Sequence, residues 1–183
     1  MTAARILVVE DEAVVALDLR TRLTRLGYEV IGVAAKGEDA VAIAQEQRPD
    51  LTLMDIRLRS TLDGIEAAEM IRTQVGLPVV YLTAHADEAT VDRARVTEPF
   101  GYILKPFDER ELRTVIEMAL YKHGAEQKLR ESERRYATTL ASIGDGVIAT
   151  DKMGCVTFMN SVAEKLSGWR NADAQGVSLT TVF

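Results

Sequence analysis

The chain has 183 residues, room for one ordinary domain or for one domain plus part of another, and 47% of them are hydrophobic, as in a globular protein. A net charge of −6 and a pI near 5.1 argue against a nucleic-acid partner, which is usually met by a basic face. No apolar run approaches the ~20 residues needed to cross a bilayer, the N-terminus lacks the apolar core of a signal peptide, and the single cysteine, Cys155, excludes an internal disulfide and fits a reducing compartment. A cytoplasmic protein is expected, with no membrane partner. His85, His123 and Cys155 are too far apart in sequence for a recognisable zinc spacing.

Ile6–Val9 is a continuous apolar run rich in β-branched residues, as in a strand buried on both faces. From Glu12 to Leu26, Val15, Leu19, Leu23 and Leu26 recur at helical spacing and Gly27 supplies a stop. The alternation repeats: a strand at Val30–Val33, a helix at Glu38–Gln47, and a strand at Leu51–Met54 after the break at Pro49. Asp63 then caps a helix reaching about Val75, Pro78 opens a strand at Val79–Leu82, and a helix is expected near Asp87–Arg95. A fifth strand falls at Tyr102–Leu104 and a further helix starts near Asp108. Strands alternating with helices predict an α/β fold, a doubly wound five-stranded parallel sheet.

The last of these helices does not stop where a compact domain would end. Leu112, Ile116 and Ala119, then Leu129, Tyr136, Leu140 and Ile143, keep three/four spacing across the polar stretch Lys122–Lys128, where Gly124 marks the expected fraying point. Two readings fit: a charged linker lying on its own domain, or a signalling helix that pairs with a second copy. From Gly144 the texture changes again, with strands expected at Val147–Thr150 and Val156–Phe158 joined by a turn at Asp151–Gly154, and a short helix at Ser161–Leu166 closed by Gly168.

In a doubly wound sheet, sites form outside the carboxyl ends of the strands. There the sequence places Glu10, Asp11 and Glu12 after the first strand, Asp55 after the third, Thr83 after the fourth, and Lys105 followed by Pro106 after the fifth. Each has a plainer reading alone: Asp11 as a helix cap, Asp55 as a turn residue, Thr83 as a strand-end hydroxyl, Lys105 as a solvated charge. Together, clustered carboxylates suit Mg²⁺, a carboxylate beside such a cation can accept a phosphoryl group, and an ammonium and a hydroxyl can neutralise and orient the phosphoryl oxygens.

Ile6-Leu-Val-Val-Glu-Asp-Glu12, Leu53-Met-Asp55-Ile, Asp63-Gly64, Tyr81-Leu-Thr83-Ala and Tyr102-Ile-Leu-Lys105-Pro-Phe107 together resemble a response-regulator receiver domain, over residues 1–121. The resemblance implies a flavodoxin-like fold with Asp55 as phosphoacceptor and Mg²⁺ held by Asp11, Asp55 and the Arg57 backbone carbonyl, with Glu10 acting through water. It also implies Thr83 and Tyr102 as a switch pair, Lys105 on the phosphoryl group, a cis bond before Pro106, and a histidine kinase or phosphotransfer protein as partner. Two departures stand out: Glu10 occupies a position often held by aspartate, and the loop Arg57–Leu62 lacks a common proline and is one residue longer than usual. The side chains of Arg57 and His85 flank the acceptor and are expected to tune phosphate lifetime. A homodimer is expected through the linker helix, or through the face joining the helix near 87–95, the fifth strand and the following helix, with Arg93, Tyr102 and Arg113.

Residues 122–140 read as a linker or signalling helix, and residues 141–183 resemble the N-terminal part of a PAS sensor domain, carried by Ile143-Gly-Asp-Gly-Val-Ile-Ala-Thr-Asp151, Val156-Thr-Phe-Met-Asn160 and Ala163-Glu-Lys-Leu-Ser-Gly168. A whole PAS domain is about twice as long, so a piece of a larger protein is expected. The function expected is a phosphorelay switch that relays its change through the long helix and is not itself an enzyme acting on a separate substrate. The alternative is one part of a PAS-containing sensor histidine kinase or of a cyclic-dinucleotide enzyme. An aspartyl phosphatase of the large hydrolase superfamily would carry its D-x-D motif after the first strand, and His123 lacks the surroundings of a kinase phosphorylation site.

Overall fold

The structure, a computed structural model, describes residues 3–84, 97–142 and 144–183. The chain divides into two compact units, Met1–Ala125 and Glu126–Phe183.

In the first unit, β1 (Arg5–Val9), β2 (Glu29–Ala34), β3 (Leu51–Asp55), β4 (Val79–Thr83) and β5 (Gly101–Leu104) form one parallel sheet in the order β2-β1-β3-β4-β5. Successive residues of a strand point to opposite faces, and here each face has its own core. Leu7, Val9, Met54 and Tyr81 pack with buried residues of α2 (Gly37–Gln47) and α3 (Gly64–Met70). Ile6, Val8, Leu53 and Leu82 pack with Leu19 and Leu23 of α1 (Ala13–Arg25) and with Leu112, Ile116 and Ala119 of α4 (Glu109–Ser142). Apolar residues on both strand faces are what a sheet covered on both sides requires. The expected helix near Asp87–Arg95 lies outside the described residues.

Helix α3 starts at a capping box: Asp63 accepts from the backbone N–H groups of Ile65 and Glu66, and Glu66 accepts from Asp63 N–H at 3.0 Å. The predicted helix through Val75 ends differently, as Ile71–Val75 form a wider π-helical turn closed by Gly76 in the left-handed region at φ 75°. That turn keeps both Ile71 and Val75 buried. Helix α4 begins where Asp108 Oδ1 accepts from Glu111 N–H at 2.7 Å.

The sequence places a fraying point at Gly124; the helix runs unbroken through it. A glycine costs only about 1 kcal/mol in a helix, and the adjoining turn is fastened, with His123 edge-on to Phe100 and the Lys122 ammonium 5.0 Å from the Phe100 ring centre.

In the second unit, β6 (Ile148–Thr150) and β7 (Val156–Met159) are antiparallel. Their turn is held by Asp151 Oδ1, which accepts from Met153 and Cys155 N–H at 2.9 Å each, with Gly154 at φ 80°. Helix α5 (Ser161–Ser167) is followed by two short helices the sequence did not signal, α6 (Asn171–Ala174) and α7 (Leu179–Val182). Val156, Met159, Ala163, Ala174 and Val182 form a small core. Asn160 is its polar centre: buried, it accepts from Val147 N–H and Ala163 N–H and donates to the Asp145 carbonyl, all at 2.9 Å.

Two substitutions test these joints. A Cβ on Gly64 would sit 1.8 Å from the backbone carbonyl oxygen of Asp55, so Gly64→Ala is expected to destabilise the first unit by about 3 kcal/mol in urea unfolding. Asn160→Ala removes the side-chain partner of Val147 N–H, the Asp145 carbonyl and the buried Ala163 N–H, and is expected to raise amide exchange across β6, β7 and α5 while leaving the β1–β5 sheet protected.

Candidate functional site

The register of the parallel strands brings the candidate site residues to one level. Val9 pairs with Met54, Asp55 with Leu82, and Thr83 with Leu104, so Glu10, Asp55, Thr83 and Lys105 lie at the same sheet edge. The strand order reverses between β1 and β3, with α1 on one face and α3 on the other. A crevice opens at such a point, and Asp11 and Asp55 flank it.

Asp55 is the last residue of β3 and is buried at 7% exposure. Its Oδ1 accepts from Arg57 N–H at 3.0 Å and its Oδ2 accepts from the Lys105 ammonium at 2.6 Å. The same ammonium donates to Glu10 Oε2, also at 2.6 Å, while Glu10 Oε1 accepts from Glu12 N–H at 3.2 Å. Asp11 is more open, with Oδ2 3.6 Å from Arg59 Nε. One oxygen from each of Glu10, Asp11 and Asp55 lies within 4.8 Å of the others. Asp11, Asp55, Arg57, Arg59, Thr83 and Lys105 are among the residues lining a cavity of about 520 Å³. Glu10, with its side chain fully buried, sits behind the cavity and faces Lys105.

Three carboxylates against one ammonium leave about two negative charges at a half-buried edge, the balance a hard divalent cation offsets. The donors are all oxygens, and Asp11 and Asp55 open onto a cavity with space for water and phosphate. The residues therefore fit Mg²⁺. Burial pushes the Glu10 carboxyl above its ordinary range, against the lowering effect of the hydrogen bond from Lys105. Burial also pulls the Lys105 ammonium down, but its hydrogen bonds to Asp55 and Glu10 outweigh this and the net shift is upward.

Lys105 lines the cavity, its N–H donates to the Thr83 carbonyl at 2.7 Å, and the Lys105–Pro106 bond is cis. Thr83 is buried at the cavity wall. Tyr102 pairs with Tyr81 in the β4–β5 register, its ring 5.7 Å from the Tyr81 ring and its hydroxyl oxygen buried. His85 and Arg93 lie outside the described residues.

Sequence reasoning missed Arg59 and the anchoring of the longer loop. Gly37 N–H donates to Ser60 Oγ at 3.2 Å, Ser60 donates to the Leu62 carbonyl at 2.7 Å, and Leu62 N–H donates to Glu38 Oε1 at 3.0 Å, which ties the loop to the first turn of α2. The extra loop residue was the only sequence signal, and it does not say what the loop packs on.

A doubly wound five-stranded domain with an acidic cluster and a paired lysine at its switch point defines a class, and comparison with known proteins gives the family. Residues 6–117 match the response regulator receiver domain and residues 134–183 match the PAS fold. The chain belongs to the response regulator receiver family, with a PAS fold following. Among curated relatives, the transcriptional regulatory protein PdtaR of Mycobacterium tuberculosis is 40% identical over 116 residues, which is 63% of this chain and 56% of PdtaR. The phyllosphere-induced regulator PhyR of Methylorubrum extorquens is 38% identical over 121 residues, 65% of this chain and 44% of PhyR. The chain thus spans about half the length of these relatives. The receiver domain of a modulated diguanylate cyclase from Desulfovibrio desulfuricans superposes with a TM-score of 0.66 at 41% identity, covering 68% of this chain and 98% of that one. The N-terminal domain of a response regulator/sensory box/GGDEF three-domain protein from Carboxydothermus hydrogenoformans gives 0.62 at 40%, covering 67% and 98%.

Removing the ammonium leaves two buried carboxylates facing each other. Lys105→Ala is expected to cost about 3 kcal/mol at pH 7 without divalent cation. A carboxyl raised in the folded state contributes stability below its unfolded value of 4.5 and loses it as pH rises through the folded one. Losing Lys105 raises Glu10 further, so the deficit relative to wild type should shrink as pH falls from 7 toward 5, measured by urea unfolding at each pH.

Proposed function

We propose that the chain is a phosphoacceptor switch of a two-component phosphorelay, with Asp55 taking a phosphoryl group from the phosphohistidine of a histidine kinase or phosphotransfer protein. The observation that carries this reading is the position of Asp55: a strand-end carboxylate at the switch point, fixed at both oxygens and open to a cavity shared with Asp11, Thr83 and Lys105. Asp11, Asp55 and the Arg57 carbonyl would hold Mg²⁺, with Glu10 acting through water. When bound, the ion supplies neutralisation of the phosphoryl oxygens.

The chain's own residues account for the rest. Arg57 N–H and Lys105 hold the Asp55 carboxylate in one plane, so an oxygen can approach phosphorus in line with the departing imidazole. The O–P bond forms as the P–N bond breaks, and the imidazole keeps the bonding pair. The Lys105 ammonium passes from the carboxylate to a phosphoryl oxygen, and the Thr83 hydroxyl donates to another. The acyl phosphate carries about −1.5 to −2 charge in place of −1, which draws Thr83 toward the site and lets Tyr102 fill the space behind it. The face containing Tyr102 and Arg113 is then read by a partner or a second copy. On this reading the chain acts only on its own aspartate, in the cytoplasm; among the described residues no helix is long and apolar enough to cross a membrane.

A second reading concerns the output that such a receiver regulates. Two receiver structures at 40% and 41% identity come from a diguanylate cyclase and a GGDEF protein, which favours a cyclic-dinucleotide enzyme as the output this receiver regulates.

Intact mass after incubation with acetyl phosphate tests the first reading. One phosphoryl group is expected on wild type with Mg²⁺, and none on Asp55→Asn or with the cation chelated. Equal labelling of Asp55→Asn would place the acceptor elsewhere.

A further inference from the structure

The Lys105 ammonium is shared between Glu10 and Asp55, and Asp11 is met from elsewhere. Among the described residues the basic group that meets it is Arg59, whose Nε lies 3.6 Å from Asp11 Oδ2. The two partners differ in freedom. The Asp11 side chain is 15% exposed at the cavity wall, whereas that of Arg59 is 89% exposed. One end of the pair is set in the site, and the other is a long arm in solvent. Such an arm turns away at little cost, because an exposed ion pair adds little stability.

The backbone that carries this arm is fixed. From Ile56 to Arg59 the chain alternates, with Ile56 and Leu58 buried in the core beside α2 and α3 and with Arg57 and Arg59 exposed. The next residue, Ser60, accepts from Gly37 N–H and donates to the Leu62 carbonyl. Arg59 is therefore held at the cavity mouth whether or not its guanidinium touches Asp11, and only the side chain has to move. The same Asp11 carboxylate belongs to the oxygen cluster that fits a divalent cation. Two cations drawn to one carboxylate repel each other, and the doubly charged one holds it more strongly.

We propose that Arg59 is a displaceable counter-ion for Asp11, which occupies the carboxylate in the metal-free site and gives way when a divalent cation binds. The inference rests on the metal-site part of the proposed function and not on phosphoryl transfer. Metal affinity then includes the cost of releasing Arg59. Because such coupling is reciprocal, a loaded site holds the guanidinium free at the cavity mouth. Arg59 is in this sense a positioning residue that sets how readily the site loads.

The test is an NMR titration of the full, isotope-labelled chain with MgCl₂ at constant ionic strength, in wild type, Arg59→Ala and Lys36→Ala. Lys36 is exposed and lines a second recess with Arg59, Ser60 and Thr61, so its loss removes the same charge beside the same loop without touching Asp11. Affinity is read from the backbone N–H signals of Glu12 and Arg57, which donate to Glu10 and Asp55. Arg59→Ala is expected to bind Mg²⁺ about threefold more tightly than wild type, the scale of an exposed ion pair, and Lys36→Ala to bind as wild type does. The Arg59 Nε–H signal, assigned by its loss in Arg59→Ala, is expected to shift in wild type with the same midpoint as the backbone signals. Unchanged or weaker binding in Arg59→Ala overturns the proposal, as does equal tightening in Lys36→Ala or an Nε–H signal that stays in place while the backbone signals saturate. No Mg²⁺ response in any of the three chains overturns the metal site itself, and the proposal with it. Phosphate enters nowhere, so the result is independent of whether Asp55 accepts a phosphoryl group.

Discussion

The Lys105 ammonium lies between Glu10 and Asp55, 2.6 Å from each, and most of what positions the site depends on that arrangement. Two carboxylates at neighbouring strand ends repel each other, and burying Glu10 raises the cost of its charge. A single cation bridging both allows the parallel sheet to end in acidic residues without pushing β1 and β3 apart. It also holds one Asp55 oxygen beside the cavity, in the contact that a phosphoryl oxygen would take over in the proposed transfer.

The other constraint is steric and comes from the opposite side of Asp55. Gly64 approaches the Asp55 carbonyl so closely that no side chain fits, and Asp63, one residue earlier, closes the capping box that starts α3. The backbone of Asp55 is thus pinned to a helix start while its carboxylate is pinned by Arg57 N–H and Lys105. Between these anchors runs the longer loop, fastened to α2 through Ser60 and Glu38. The loop carries Arg59 to within 3.6 Å of Asp11.

The second unit follows a different logic. Its core is small, and buried Asn160 ties β7, α5 and the approach to β6 together by hydrogen bonds where apolar area is limited. Helix α4 is likewise two things along its length: a core helix through Ala119, and beyond Ala125 an exposed amphipathic surface with ordered charges. The first half is held by burial, the second by helix-forming residues and a local ion pair between Arg135 and Glu131.

The strands were legible in the sequence because residues buried on both faces give continuous apolar runs, as in Ile6–Val9 and Val79–Leu82, and the helix starts because Asp63 and Asp108 are unambiguous caps. The composition of the site was legible for a related reason: acidic, hydroxyl and basic residues each followed a strand, and parallel strands end at a common edge. The sequence could not show that Lys105 bridges Glu10 and Asp55, that Glu10 sits behind the cavity while Asp11 and Asp55 line it, or that Arg59 reaches Asp11. Those depend on register and on contacts between residues up to 95 apart, which no local pattern encodes. Gly124 failed as a break because its helix cost of about 1 kcal/mol is small and the adjoining turn packs against Phe100, and the π turn at Ile71–Val75, with both end residues buried, has no signature in the local sequence.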